Sequence, residues 1–223
     1  MKTIKVTNKI VFLFVVALIS ACGYPQLTQE DDAVISSDYT YIIGPGDSVS
    51  IFVWGNPDIS TTAHVRPDGK ITIPLAEDLL ASGKTPSQLA RVMEKALSKY
   101  VRDPQVVIMV SGGQGVYSQQ VRVIGQISGG SSGGTGSSGG GAAAHYSAKA
   151  FPYKKDMTLL DLIIQLGGLG QYADGNGASI IRNIDGEPQH FGIRIDDLVD
   201  NADLTANVKI LPGDILIIPQ AFF

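Results

Sequence analysis

Hydrophobic positions in this chain follow a two-residue period, then a helical one, then repeat that succession. Val49, Ile51 and Val53 alternate with Ser50, Phe52 and Trp54, which predicts a strand. Tyr41-Ile42-Ile43 predicts a short strand before it. The two are joined by Gly44-Pro45-Gly46-Asp47, where Pro second and Gly third suit a type II turn. Residues 64–74 predict a hairpin around Pro67-Asp68-Gly69: Pro fixes φ, the Asp side chain bonds locally and Gly accepts positive φ. The period then changes. Leu89, Met93, Ala96, Leu97 and Tyr100 form the apolar stripe of a helix, with Thr85 as N-cap and Pro86 in its first turn. Asp103-Pro104 closes the connection to a strand over 106–110. Together these predict a compact α+β unit over residues 39–111.

A second unit is expected over 120–219. Val121, Val123 and Ile127 mark a first strand. Residues 129–141 are drawn only from Gly, Ser and Thr. Such a tract has no apolar surface to offset its ordering entropy, so it reads as a flexible loop, and it also resembles an engineered linker. A strand resumes near 150–153. Thr158 caps a helix over 159–166 that Gly167-Gly168 terminates, strands follow at 179–182 and 191–195, and 196–199 suits a helical turn. Pro212-Gly213-Asp214 leads into Ile215-Leu216-Ile217-Ile218 and echoes Pro45-Gly46-Asp47, each a turn ahead of an apolar strand.

The start of the chain has another character. Lys2, Lys5 and Lys9 precede an unbroken apolar run over 10–19. That run is half the roughly 20 residues needed to cross a bilayer and suits the apolar core of a signal peptide. Ile19-Ser20-Ala21-Cys22 follows and resembles a bacterial lipobox, which implies a signal peptide over 1–21 and a lipid on Cys22. Gly23, where inner-membrane lipoproteins carry Asp, points to the outer membrane. Cys22 is the only cysteine, so no intramolecular disulfide can form, and lipidation gives this thiol a role. Residues 22–38 are polar and read as a lipidated tether, with a short ordered arm as the alternative.

Charge narrows the partners. The formal net charge is −4, and loss of the three leader lysines takes it to −7. No basic patch is present, which argues against nucleic acid. The remaining candidate chemistry is sparse. His64, His145 and His190 are scattered, so neither a metal nor a cofactor site is predicted. Asp196-Asp197 and Glu30-Asp31-Asp32 are adjacent in sequence, unlike the facing carboxylates of a glycosidase, and read as solvated faces or a helix N-terminus. Ser131, Ser132, Ser137 and Ser138 have no ordered base nearby. Trp54, Tyr117, Tyr146, Tyr153 and Tyr172 could stack on sugars, but packing is the simpler expectation. No catalytic residue is assigned. Gly44, Pro45, Gly46, Asp47, Pro67, Asp68, Gly69, Pro212, Gly213 and Asp214 are assigned structural turn roles.

These blocks carry a resemblance. Tyr41, Gly44-Pro45-Gly46-Asp47, Val49, Ile51 and Val53-Trp54 look like the opening of the export domain of Wza-type outer-membrane polysaccharide export lipoproteins. So do Val65-Arg66-Pro67-Asp68-Gly69-Lys70-Ile71, Pro74, Gly83-Lys84-Thr85-Pro86, Leu89, Tyr100 and Asp103-Pro104, in the family's order. The second unit resembles the soluble ligand-binding β-grasp (SLBB) domain through Val123-Ile124-Gly125, Met157-Thr158-Leu159-Leu160-Asp161, Gly167-Gly168-Leu169 and the 211–219 stretch. The wording is closest to the export proteins of exosortase (PEP-CTERM) systems. The resemblance implies a non-enzymatic component of exopolysaccharide or capsule export, lipid-anchored in the outer membrane and facing the periplasm. It also implies a homo-oligomeric ring around the polysaccharide and an inner-membrane co-polymerase, often coupled to a tyrosine kinase, as partner. Large members continue into an amphipathic helix that lines the outer-membrane pore. This sequence ends at Phe223 without one, so a separate outer-membrane β-barrel is expected. The Gly/Ser tract is a further departure. The alternative is a periplasmic module that binds polysaccharide or a small ligand.

Overall fold

A computed structural model describes residues 24–28, 39–128 and 146–221. The expected signal peptide, Cys22, the acidic run at 30–32, the Gly/Ser tract and His145 lie outside the described residues.

The first unit is built on a three-stranded antiparallel sheet. Its central strand β1 (Ser48–Val53) lies between β2 (Thr61–His64) and β5 (Val106–Ser111). Val49, Ile51 and Val53 are buried, as their spacing predicts. Strands β3 (Lys70–Ile73) and β4 (Ala76–Leu80) form a separate hairpin. Helix α1 (Pro86–Leu97) covers the core with Leu89, Ala90, Met93 and Leu97. Its N-terminus has a reciprocal capping box: Gln88 N–H donates to Thr85 Oγ1 at 3.2 Å, and Thr85 N–H donates to Gln88 Oε1 at 3.0 Å.

Three local expectations fail here. Tyr41-Ile42-Ile43 does not form a strand. Ile43 N–H donates to the Lys84 carbonyl and Gly83 N–H to the Ile43 carbonyl, but Ile42 N–H turns away to Gln119 Oε1, so no ladder propagates. Residues 64–74 form the expected turn, with Gly69 N–H on the Arg66 carbonyl at 2.8 Å, yet no hairpin grows from it. β3 pairs with β4, only Pro74-Leu75 away and so the shorter loop to close, while β2 pairs with β1. Tyr100 lies beyond the end of α1 and is 64% exposed, off the helix stripe.

The second unit is a five-stranded mixed sheet with order β7-β6-β10-β8-β9. The strands are β6 (Gln120–Gln126), β7 (Tyr146–Pro152), β8 (Ser179–Ile184), β9 (Glu187–Gly192) and β10 (Ile215–Ile218). β10 runs parallel to β6 and antiparallel to β8. Helix α2 (Leu159–Leu166) follows β7 and packs Leu159, Leu162, Ile163 and Leu166 into one core with Val121, Val123, Ile180, Leu216 and Ile218. Thr158 and Asp161 form its capping box, and Gly167 at φ 82° is its left-handed cap. Gly125 has a strict requirement: a Cβ there would lie 1.9 Å from the Ile218 carbonyl oxygen across the parallel pair. The strand expected at 191–195 is displaced. β9 ends at Gly192, and α3 (Ile195–Asp200) starts where Ile195 turns into the core.

Residues 24–28 also depart from a free tether. Gly192 N–H donates to the Pro25 carbonyl at 2.8 Å, Leu27 N–H donates to the Gly192 carbonyl at 3.0 Å, and Leu27 is buried in the second core. The two units meet through residues 39–42. Gln119 Nε2 donates to the Thr40 carbonyl, and Tyr39 packs edge-on against Tyr153 at 4.7 Å between centroids.

Candidate functional site

The two Pro-Gly-Asp sequences fold into the same device. Gly46 and Gly213 sit at φ 91° and 89°, the positive value that the third position of a type II turn requires and that glycine adopts without penalty. Asp47 N–H returns to the Gly44 carbonyl at 3.3 Å, and Asp214 N–H to the Leu211 carbonyl at 3.2 Å. Each aspartate then caps its own turn: Asp47 Oδ2 accepts Gly44 N–H and Asp214 Oδ2 accepts Leu211 N–H, both at 2.8 Å. Both carboxylates are almost fully buried.

Their remaining oxygens do different work. Asp47 Oδ1 accepts Gln114 N–H at 2.7 Å and Gly115 N–H at 3.1 Å, and Tyr41 donates its hydroxyl to Oδ2. The carboxylate thus ties the entry of β1 to the segment that leaves the first unit. Burial and this hydrogen bond to Asp47 raise the Tyr41 pKa above that of a free phenol. Close packing adds to the tie, since a Cβ on Gly44 would fall 1.9 Å from the Gly115 carbonyl oxygen. Asp214 instead accepts a two-pronged ion pair from Arg182 on β8. Gln114, Gly115 and Arg182 are not singled out by sequence pattern, and Tyr41 is read there as a strand residue and not as a partner of Asp47. Arg182 lies in a strand otherwise rich in isoleucine, and that misplaced charge is the signal that could have found it.

Pro67-Asp68-Gly69 is exposed by contrast. Asp68 pairs with Arg66, which also reaches Asp78 at 2.8 Å. Hydrogen bonding from Arg66 pulls the Asp68 pKa down to about 2, and both acidic partners raise that of Arg66. Solvent screens this cluster, so it adds little to stability.

The other candidates stay apart. His64 is exposed on β2, while His190 on β9 stacks against Tyr24. Asp196 and Asp197 fall in the first turn of α3. Asp196 accepts Asn176 N–H, and Asp197 pairs with Arg194. Among the described residues no three metal-binding side chains converge. Trp54 is 73% exposed, with Phe52 edge-on to it, and Val107 and Met109 join them on the outer face of β1 and β5. The sequence pattern hides this face because Ser48 and Ser50 share the phase of Phe52 in β1. A cleft of about 220 Å³ in the second unit is lined by Ile163, Leu169, Ala173, Asp196, Val199 and Asp200, among others.

The exposed apolar face, the buried carboxylate of Asp47 and the α1 capping box all fall in a segment that matches one known family. The family of polysaccharide biosynthesis/export proteins matches residues 35–111. The matched segment covers β1 to β5 with α1, the whole first core. Asp47 in this segment is held by turn amides, and Asp214, beyond it, by a turn amide and a guanidinium. Among the described residues no helix is long and apolar enough to cross a membrane.

Proposed function

We propose that this protein is an outer-membrane lipoprotein of an exopolysaccharide or capsule export machine. Cys22 carries the lipid, the folded part faces the periplasm, and a homo-oligomeric ring or adaptor conducts the polysaccharide. The observation that carries this reading is the export domain over 35–111. The outer face of β1 and β5 supports the oligomer: Phe52, Trp54, Val107 and Met109 are all at least 43% exposed and lie together, as at a surface that meets another copy of the chain. Contacts of one such face with a different face of the next subunit close into a ring when the rotation permits.

The second unit is read as the SLBB β-grasp domain. Strand order supports it: the β6–β7 hairpin, α2, the β8–β9 hairpin, then β10 inserted between the hairpins parallel to β6. Partners of this reading are an inner-membrane co-polymerase with its tyrosine kinase and an outer-membrane β-barrel. A second reading, a periplasmic module that binds polysaccharide or a small ligand, is favoured by the cleft between α2 and α3. Deletion of the gene separates them. The export reading expects synthesis of the polymer to continue while surface polysaccharide disappears. Normal surface polysaccharide in the deletion strain would sink it.

A further inference from the structure

Residues 24–28 meet the end of β9 through one parallel bridge at the edge of the second sheet. The Gly192 N–H and carbonyl bond on either side of Gln26, and the Gln26–Gly192 bridge is parallel. Leu27 is 6% exposed, so the segment is seated by core packing as well as by its backbone. The Tyr24 ring stacks on His190, with centroids 5.1 Å apart and planes 19° from parallel. None of these contacts serves the export domain, and the acidic, polar stretch that follows gives no reason for them.

We propose that this docked segment is a membrane strap that holds the lipid-bearing end of the chain at the β9 edge and turns that edge, not the β7 edge, toward the headgroups of the bilayer. The inference rests on the reading of Cys22 as the acylated residue. Reach carries the argument. Two residues extend at most about 7 Å, so the backbone of an acylated Cys22 lies within about 7 Å of Tyr24, whose ring is fixed on His190. β7 is four strands away across the sheet, at about 4.8 Å each, so its edge stands roughly 19 Å further off. A free tether over 22–38 would instead have an end-to-end distance of about 20–25 Å, enough to erase any preference between the edges. The chemistry of the edge fits a headgroup layer: Tyr24 is 57% exposed and, with His190, offers aromatic surface with polar atoms at one end. Asp185 and Glu187 at the β8–β9 turn are exposed and negatively charged, which favours a zwitterionic over a strongly anionic surface. The strap also satisfies the N–H and carbonyl of Gly192, which an open edge would offer to other chains.

The test uses the acylated full chain in phosphatidylethanolamine–phosphatidylcholine vesicles whose headgroups carry a nitroxide quencher. Acylation blocks the Cys22 thiol, so a fluorophore can be placed at Gln189→Cys on β9 or at Ala148→Cys on β7, both exposed positions. Quenching is expected to be several-fold stronger at 189 than at 148. A Gly/Ser insertion of about twelve residues between Gly23 and Tyr24 keeps the strap but lengthens the lead to the lipid, and it should bring the ratio toward one. Leu27→Asp should do the same by releasing the strap. A ratio near one in the acylated parent, or a ratio that the insertion leaves unchanged, overturns the proposal. Mass analysis of the N-terminal peptide tells which reading has failed. An acylated Cys22 with equal quenching removes the strap alone, whereas an unmodified Cys22 removes the lipid reading and the strap with it.

Discussion

Arg182 and Asp214 form an ion pair in which both side chains are 2% exposed, with Nε to Oδ1 at 3.1 Å and Nη2 to Oδ2 at 2.8 Å. The guanidinium also donates to the Lys209 carbonyl at 2.9 Å, and the carboxylate accepts Leu211 N–H. The pair therefore links β8 to the turn ahead of β10. A buried pair is weak evidence for net stability, because desolvation offsets the attraction, but removal of one partner strands the other.

Asp214→Ala should destabilise the protein by about 3–5 kcal/mol, since it leaves the Arg182 charge buried and also removes the cap of the turn. Arg182→Met combined with Asp214→Leu should recover much of that loss. Urea unfolding of the three proteins checks both expectations. A double variant as unstable as the single one would mean that the turn cap, not the charge, carries the effect.

The turn at Asp47 behaves differently with pH. Tyr41→Phe removes the hydroxyl that bonds Asp47 and accepts Gly115 N–H, and it should cost about 1–2 kcal/mol at pH 8. The folded pKa of Tyr41 is raised above its ordinary 10.0. The stabilisation is thus complete below pH 10 and is lost as pH rises from there through the folded value. The gap in unfolding free energy between the parent and Tyr41→Phe should narrow above pH 10, while the change from pH 6 to pH 8 stays small.

Much of the architecture was legible in the sequence, and the failures share a cause. Both capping boxes rest on residues three apart, Thr85 with Gln88 and Thr158 with Asp161, so local pattern is enough to find them. The positive φ at Gly46, Gly69 and Gly213 follows from turn chemistry in the same way. What could not be read were choices between distant partners. Nothing in 64–74 says that β2 will prefer β1, because that depends on register against Ser48–Ile51. The donors to Asp47 at 114–115 lie nearly 70 residues away, and the Arg182 partner is 32 residues from it. The docking of 24–28 onto β9 is of the same kind, and composition alone gave that stretch the look of a tether.

Two glycines in one turn separate sterics from backbone strain. A Cβ on Gly44 would lie 1.9 Å from the Gly115 carbonyl oxygen and 2.7 Å from Val116 N, backbone atoms that cannot swing aside. Gly44→Ala should therefore cost about 3 kcal/mol or more. A Cβ on Gly46 meets nothing within 4 Å, but φ of 91° strains any other residue, so Gly46→Ala should cost about 1–2 kcal/mol. Thermal unfolding ranks the pair, and equal losses would mean that the 44–115 approach relaxes.

The α2 capping box should fail in acid. Hydrogen bonds from the Thr158 N–H and hydroxyl lower the Asp161 pKa below its ordinary 3.8. The contribution is present above pH 4 and is lost as pH falls through the lowered folded value. Thr158→Ala should destabilise by about 1 kcal/mol at pH 7, with a smaller difference from the parent near pH 2.5 if the protein is still folded there. A difference that does not shrink in acid would show that the Thr158 hydroxyl acts without the carboxylate.

The outer face of β1 and β5 distinguishes a folding role from an assembly role. Phe52 and Val107 face each other across the ladder, with Trp54 edge-on to Phe52 at 6.1 Å, and none of them belongs to the first core. Replacing both Phe52 and Trp54 by Ser should therefore leave the stability of the subunit within about 0.5 kcal/mol of the parent. If the face packs against a neighbouring subunit, the same change should lower the mass measured by light scattering of the detergent-solubilised protein to that of a monomer. It should also reduce surface polysaccharide in the complemented deletion strain. An unchanged oligomer with normal export would place the subunit contacts elsewhere on the molecule. A monomer that still exports would detach export from assembly and favour the binding-module reading.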